Sequence, residues 1–562
     1  MKKKEQSTNG EHNDAVKISK HAVEVASERL GTARRDFLKL FGYGAAALTM
    51  GGLSFGRDGM PELVPSAHAS GNNKGASNKK SPYEKEFKFA KKLLYMNIGT
   101  TGASPTCVVQ DSFNDYQDIA SNPTAYFFGQ QVMRNSIAPG FGCDPYELVL
   151  SFNTTDGLWR IVMGIPFETG DAIITTNMEE DAGISAVNIL KDRFGILVKT
   201  VNLPTNDAYI ACNKTTFDEE VLARFAQAKS ELDQDPAVKR AKAILFSSPI
   251  YLTGARLPEK ELCLWAAGNG MISIVDGAHL PGMCAINLHD MGCDFFSGAG
   301  HKWQCGPGQT GFLYIRNGTE AGPYRRRTWE SDFGAFGPPP DPNGPAPQGA
   351  VDIWVPGYSN TNALPTYYPT NTLLYGGTDI LRNGGRNPDH NVAAVLQLIG
   401  NGSRQSQNAL TECCRMWDAW GREAIEDYVV SLAQYLRSRI DAIWGPQSLS
   451  IPYAEPADPV ARTGLTSFNP FSPGCDYNAP LTAAQSSAQS RASAAAVSTL
   501  KSDYRIVIRN NSVPHSLAED PTQNAAPGTY SSPLRISTHL FHSMEDVDRL
   551  VDALLQVAPP SA

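Results

Sequence analysis

The chain has 562 residues, 41% hydrophobic and 19% charged, a globular composition with material for a sizeable core and about two domains plus tails. Its formal charge is −8, and the first 69 residues carry ten Lys/Arg against eight Asp/Glu, leaving 39 against 49 in the rest. That acidity argues against nucleic acid or an anionic membrane as a partner, and the ten cysteines show no CxxC pair or Cys/His cluster, so no metal site is expected.

Arg34 and Arg35 open the run RRDFLK at 34–39, and the stretch from Leu40 to Phe55 is apolar or small and uncharged. It is too short and too rich in Gly and Ala for a membrane span, which takes about 20 apolar residues. Ala67, His68 and Ala69 then form an A-x-A cleavage pattern. This arrangement resembles a twin-arginine signal. The resemblance implies cleavage after Ala69, export in the folded state by the twin-arginine machinery, a periplasmic location and no membrane span in the mature chain.

Residues 70–82 are rich in Gly, Asn, Ser and Lys and read as a solvated linker. A large domain is expected over 83–395. Strand patterns run from Ala172 to Thr176, Leu197 to Leu203, Ala243 to Phe246, Met271 to Val275 and Gly311 to Ile315. Helical patterns lie between them, from Ile184 to Phe194, Phe217 to Ala228 and Glu259 to Ala267. Alternation of this kind implies crossover connections, an α/β fold and a mainly parallel sheet, with ligands beyond the carboxyl ends of the strands. Residues 334–373 are dense in Pro, Gly, Asn and Tyr and read as an irregular lid or interface loop. A smaller α+β domain is expected over 396–562, with an amphipathic helix from Ala424 to Ile443, a Ser/Ala-rich solvated insertion at about 479–500, then two strands and a helix.

Three segments carry chemistry. In DFFSGAGHKW at 294–303, Lys302 follows a strand and precedes the Gly-rich run GPGQTGFLY at 306–314. A lysine in an apolar, Gly-lined concavity loses its preference for the ammonium form and becomes available for a Schiff base. Asp276 ends the apolar strand in SIVDGAH at 273–279, where a carboxylate faces a ligand rather than water. An acid that keeps a pyridine nitrogen protonated and a lysine that binds an aldehyde are together what pyridoxal 5′-phosphate requires. In NTTDGLWRIV at 153–162, Asn153 and the threonines read as a helix cap, and such N-termini attract anions.

In this order the motifs resemble the class V aminotransferase family of pyridoxal-phosphate enzymes, closest to its isopenicillin N epimerase-like branch, over roughly 93–556. The segment LYMNIGTTGASP at 94–105 resembles the family's N-terminal arm, SSPIYLTGARLP at 247–258 its S-x-x-x-x-x-T-G-x-x-x-P segment, LYGGT at 374–378 its G-T segment and PLRISTH at 533–539 its R-x-S segment. The resemblance implies the fold type I architecture, a large domain with a seven-stranded sheet flanked by helices plus a smaller C-terminal domain. By the same resemblance Lys302 holds the cofactor aldehyde, Asp276 the pyridine nitrogen, His279 the 3′-oxygen side, and Thr154, Thr155 and His301 the phosphate. Thr378 reaches that phosphate from a neighbouring subunit, which implies a homodimer with shared active sites. Arg535 grips the α-carboxylate of an amino-acid substrate, its planar fork suiting that task, and Asn97, on the arm that lies over the active site, is a second substrate-binding residue.

Two departures bear on activity. Glu180 falls nearest the position where the family stacks a ring on the cofactor, and the 334–373 loop lacks the cysteine that a desulfurase needs. The expected function is an aminotransferase, with an epimerase or lyase as the alternative and a non-catalytic periplasmic binding protein as the remote one.

Overall fold

The computed structural model describes residues 80–123, 130–145, 147–203, 214–316, 396–397, 402–453, 462–479, 481–514 and 530–560, and the backbone at 351–352 and 366–367. The signal region at 1–69 and most of the 70–82 linker lie outside the described residues.

The frame is one sheet of seven strands. In chain order, β1 pairs elsewhere (Leu94–Tyr95) and is followed by α1 (Thr106–Ser121) and α2 (Gln130–Ile137). The sheet strands are β2 (Leu148–Ser151), β3 (Asp171–Thr176), β4 (Leu197–Val201), β5 (Arg240–Ser247), β6 (Ile272–Asp276), β7 (Phe295–Ala299) and β8 (Gly311–Ile315). Their spatial order is β2-β8-β7-β6-β5-β3-β4. The four pairings from β4 to β7 are parallel, and β8 runs antiparallel to both neighbours. Apolar residues occupy both faces of these strands, as a sheet covered on both sides requires.

Helices α3 (Thr154–Gly164) and α4 (Asp181–Phe194) cover one face, where Leu158, Ile161 and Val187 pack with Ile173, Leu245, Ile274 and Leu313. Helices α5 (Lys214–Gln234) and α6 (Glu259–Gly268) cover the other, where Val221, Phe225 and Leu262 pack with Ile174, Phe246 and Phe296. This is the doubly covered parallel sheet expected from the alternation of patterns, and each observed element overlaps its predicted counterpart, although the strand predicted to Leu203 ends at Val201.

The C-terminal part contains α7 (Arg404–Trp420), α8 (Arg422–Trp444), β9 (Leu465–Phe468), α9 (Ala483–Ser502), β10 (Ile506–Val507), β11 (Arg509–Asn510), β12 (Leu534–Ser537) and α10 (Met544–Val557). Strands β9, β12 and β11 form an antiparallel sheet in that order. The N-terminal arm joins this part: β1 pairs with β10, and Leu94 and Met96 are buried among Ile440, Ile506 and Leu550.

The Ser/Ala-rich stretch expected as a solvated insertion is instead a helix, α9. Alanine has the strongest helix propensity, Thr482 and Gln485 close a capping box at its start, and one face buries Gln489, Ser493, Ala496 and Leu500. Low complexity here reflects a helix packed through small residues rather than a loop.

Candidate active site

The five parallel strands β3 to β7 end at the same edge of the sheet, and the register there brings Ser247, Asp276 and Ser297 side by side. The chain leaves β7 toward Lys302 and leaves β2 toward the N-terminus of α3. A cavity of about 320 Å³ opens at this edge. Lys302, Asp276, His279, His301, Thr154, Thr155 and Arg535 all line it, so seven of the nine residues singled out from the sequence converge.

Asn97 is set behind the wall: its Oδ1 accepts from Arg535 Nη2 at 3.4 Å and from Thr100 Oγ1 at 2.9 Å. Thr378 lies outside the described residues, as does nearly all of the 334–373 loop.

Asp276 is buried at the end of β6, and its Oδ1 accepts from the Ala278 backbone N–H at 3.0 Å. Burial pushes its carboxyl up to about 6 against the opposing pull of the Lys302 charge. Gly183 near the start of α4 lets that helix close on it, since a Cβ there would stand 2.7 Å from Asp276 Oδ2.

Lys302 Nζ lies 3.4 Å from His279 Nε2. Burial draws its ammonium down to about 8, with Asp276 acting in the opposite sense. The N-terminal arm braces this lysine, because Gly102 N–H donates to His301 O at 2.7 Å and a Cβ at Gly102 would stand 2.0 Å from Lys302 O.

His279 is buried, and burial together with the Lys302 and Arg535 charges holds it well below the usual imidazole range. It is therefore neutral at pH 7. Its Nδ1 accepts the indole N–H of Trp303 at 3.0 Å, which assigns the ring proton to Nε2. His301 Nδ1 lies 3.2 Å from Thr310 O.

The start of α3 is capped as expected, with Asn153 Oδ1 accepting from Asp156 N–H at 2.8 Å. Thr154 Oγ1 is buried and has no hydrogen-bond partner among the described residues. An unpaired buried hydroxyl beside free helix N–H groups is the donor set of an anion site.

Glu180 does not offer a ring. Its Oε2 accepts from Ala182 N–H and Gly183 N–H at 2.8 and 3.3 Å, making it the cap of α4 on the cavity wall.

Sequence reasoning missed several residues here. Glu179 accepts from Thr176 Oγ1 and Ser247 Oγ, both at 2.5 Å, and burial raises it to about 7. Tyr251 and Arg509 line the cavity. Ser248, in the segment 247–258, donates to Glu259 Oε1 at 2.6 Å. The only signal for Arg509 was a basic residue in a strand pattern near PLRIS, too common to single out.

Residues 94–324 match the class V aminotransferase family. Isopenicillin N epimerase of Streptomyces clavuligerus is 26% identical over 241 residues, covering 40% of this chain and 54% of that protein. Hercynylcysteine sulfoxide lyase of Schizosaccharomyces pombe is 25% identical, covering 41% and 56%. A probable cysteine desulfurase 2 of Mycobacterium leprae is 26% identical, covering 40% and 52%. The chain spans about half the length of the curated relatives it matches.

Among solved structures, a C-DES variant with glycine covalently linked to its PLP cofactor superposes with a TM-score of 0.56 at 17% identity, covering 86% of this chain and all (100%) of that one. The apo cysteine desulfurase of Thermococcus onnurineus superposes with a TM-score of 0.55 at 18% identity, covering 85% and 98%. The fold is that of the fold type I pyridoxal-phosphate enzymes. Pyridoxal 5′-phosphate is the cofactor of the matched family, and the cavity fits it: an unpaired Thr154 hydroxyl for the phosphate, a buried Asp276 carboxyl for the ring nitrogen and the Lys302 amine for the aldehyde.

Proposed function

We propose that this chain is a pyridoxal-phosphate-dependent enzyme acting on an amino acid, with Lys302 as the residue that carries the cofactor and moves the proton. The observation that carries this reading is the convergence of Lys302 and Asp276 in one cavity with a carboxylate-binding candidate, Arg535. When bound, the cofactor supplies an electron sink that acidifies the bond to the α-proton.

Each side chain has a defined task in this reading. Asp276 keeps a proton at the ring nitrogen. Thr154, Thr155 and His301 hold the phosphate, and His279, protonated on Nε2, donates to the 3′-oxygen. Arg535 grips the α-carboxylate, which fixes the α-carbon within reach of the Lys302 amine. That amine takes the α-proton and returns it.

Transamination is the first reading. The relatives, an epimerase, a sulfoxide lyase and a probable desulfurase by name, favour a second: return of the proton to the α-carbon, or loss of a β-substituent. The test has two arms. Borohydride treatment of purified protein should abolish a visible absorption band and leave the modification on Lys302; a colourless protein that takes up no cofactor refutes the reading and supports a binding protein. Product analysis with amino acids of both hands then separates a 2-oxo acid, the opposite enantiomer and an eliminated fragment.

Two further readings from the sequence remain proposals. Export by the twin-arginine route rests on Arg34, Arg35 and the cleavage pattern at Ala67 and Ala69, and loss of export in an Arg34→Lys/Arg35→Lys protein tests it. A homodimer is supported by the outer face of α1, where Val109, Phe113 and Tyr116 are each more than half exposed, at 57%, 56% and 55%. Sedimentation of the purified protein checks it.

A further inference from the structure

Strand β11 pairs antiparallel with β12 so that Arg509 stands directly opposite Arg535. Residues opposite one another in such a pair project from the same face with Cβ atoms about 5 Å apart, and like charges there are destabilising. Both side chains line the cavity. Both guanidinium groups reach the same hydroxyl, Thr100 Oγ1, Arg535 at 3.1 Å and Arg509 at 3.5 Å.

Among the described residues, the remaining hydrogen bonds of Arg535 go to neutral oxygens, Tyr251 O and Asn97 Oδ1, and Arg509 makes none besides that to Thr100. Among the described residues no carboxylate comes within ion-pair distance of either group. Glu180, which also lines the cavity, is engaged with the α4 backbone. Arg509 is exposed, so packing does not explain it. Two cations with no carboxylate partner among the described residues therefore share one concave wall, a geometry that concentrates anions.

We propose that the substrate is an amino acid carrying a second anionic group, and that Arg509 binds this group at the cavity mouth while Arg535 holds the α-carboxylate. This rests on the reading of the site given above and narrows its substrate class.

The test uses cofactor-loaded protein and non-reacting acids at fixed ionic strength, glutarate and adipate against butyrate, followed by calorimetry and by the visible band. A hydrogen-bonded charge pair predicts that the better diacid binds roughly ten- to a hundredfold tighter than the monoacid. Arg509→Gln should remove that advantage, Arg509→Lys should restore part of it, and butyrate should bind all three proteins alike. A merely structural role for Arg509 would weaken both kinds of acid together. Diacids that bind no tighter than butyrate, or an advantage that survives Arg509→Gln, overturn the proposal. Cofactor attachment to Lys302, measured on the same preparation, separates this failure from a failure of the site itself.

Discussion

The indole N–H of Trp303 donates to Nδ1 of His279 at 3.0 Å, and His279 Nε2 faces Lys302 Nζ at 3.4 Å. Trp303, the residue next to Lys302, thus orients the ring that meets the Lys302 amine. Trp303 is fully buried, with His539 Nε2 2.9 Å from its carbonyl oxygen, so the indole has little freedom to turn away.

Replacing Trp303 by Phe removes the donor and leaves a buried imidazole nitrogen unpaired, at a cost of about 1–3 kcal/mol. Nitrogen-15 spectra of histidine-labelled apoprotein should show His279 losing its fixed Nε2–H form. Turnover should fall roughly tenfold, in line with a loss of about 1.4 kcal/mol in the transition state. An unaltered His279 signal would show that the indole does not set the tautomer.

The amine of Lys302 should govern cofactor capture as a function of pH. Only the neutral amine attacks an aldehyde, and burial brings the ammonium from 10.5 down to about 8. Protonation therefore opposes capture below that value and ceases to matter above it. The neutral fraction is roughly a tenth at pH 7 and half at pH 8, so the capture rate of the apoprotein should rise about fivefold across that interval and by less than about twofold from pH 8 to 9. Stopped-flow absorption measures this, and a rate flat from about pH 6 to 9 would contradict a titrating amine. Lys302→Ala should abolish the borohydride-fixed adduct altogether.

Thr154 allows stability and cofactor binding to be separated. Its buried Oγ1 has no partner among the described residues, so Thr154→Val should leave the melting temperature of the apoprotein unchanged or slightly higher. The same change removes a donor to a dianionic phosphate and should weaken cofactor binding roughly tenfold or more. Equal losses in both measurements would mean that the hydroxyl serves the fold and not the phosphate.

Gly183 tests the close approach of α4 to Asp276. A methyl group there would stand 2.7 Å from Asp276 Oδ2 and 3.5 Å from Leu158 Cδ1, so Gly183→Ala must displace the carboxylate. Cofactor affinity should drop roughly tenfold with a shifted visible band, about the cost of one lost charged hydrogen bond. Gly268→Ala, where nothing lies within 4 Å of the added carbon, is the control and should bind the cofactor normally. Identical behaviour of the two variants would remove the steric argument.

Much of the site was legible because its signals are local. Lys302 sits between a strand and a Gly-rich turn, Asp276 ends an apolar strand, and Asn153 caps a helix, each within a window of about ten residues. Glu180 was legible as a departure from a stacking ring, but not as the cap of α4. The helix at Ala483–Ser502 was misread because small residues carry a weak hydrophobic period even when a packed face exists.

By itself, the order of strand and helix patterns determined the parallel sheet, and the position of each polar residue just beyond a strand determined the edge at which chemistry gathers. Only the tertiary structure decided that Arg509 stands across from Arg535, that Trp303 orients His279, and that Glu179 meets Ser247. Those contacts join segments distant in the chain through strand register and side-chain packing, and neither register between remote strands nor the direction of a buried side chain is written in a local pattern.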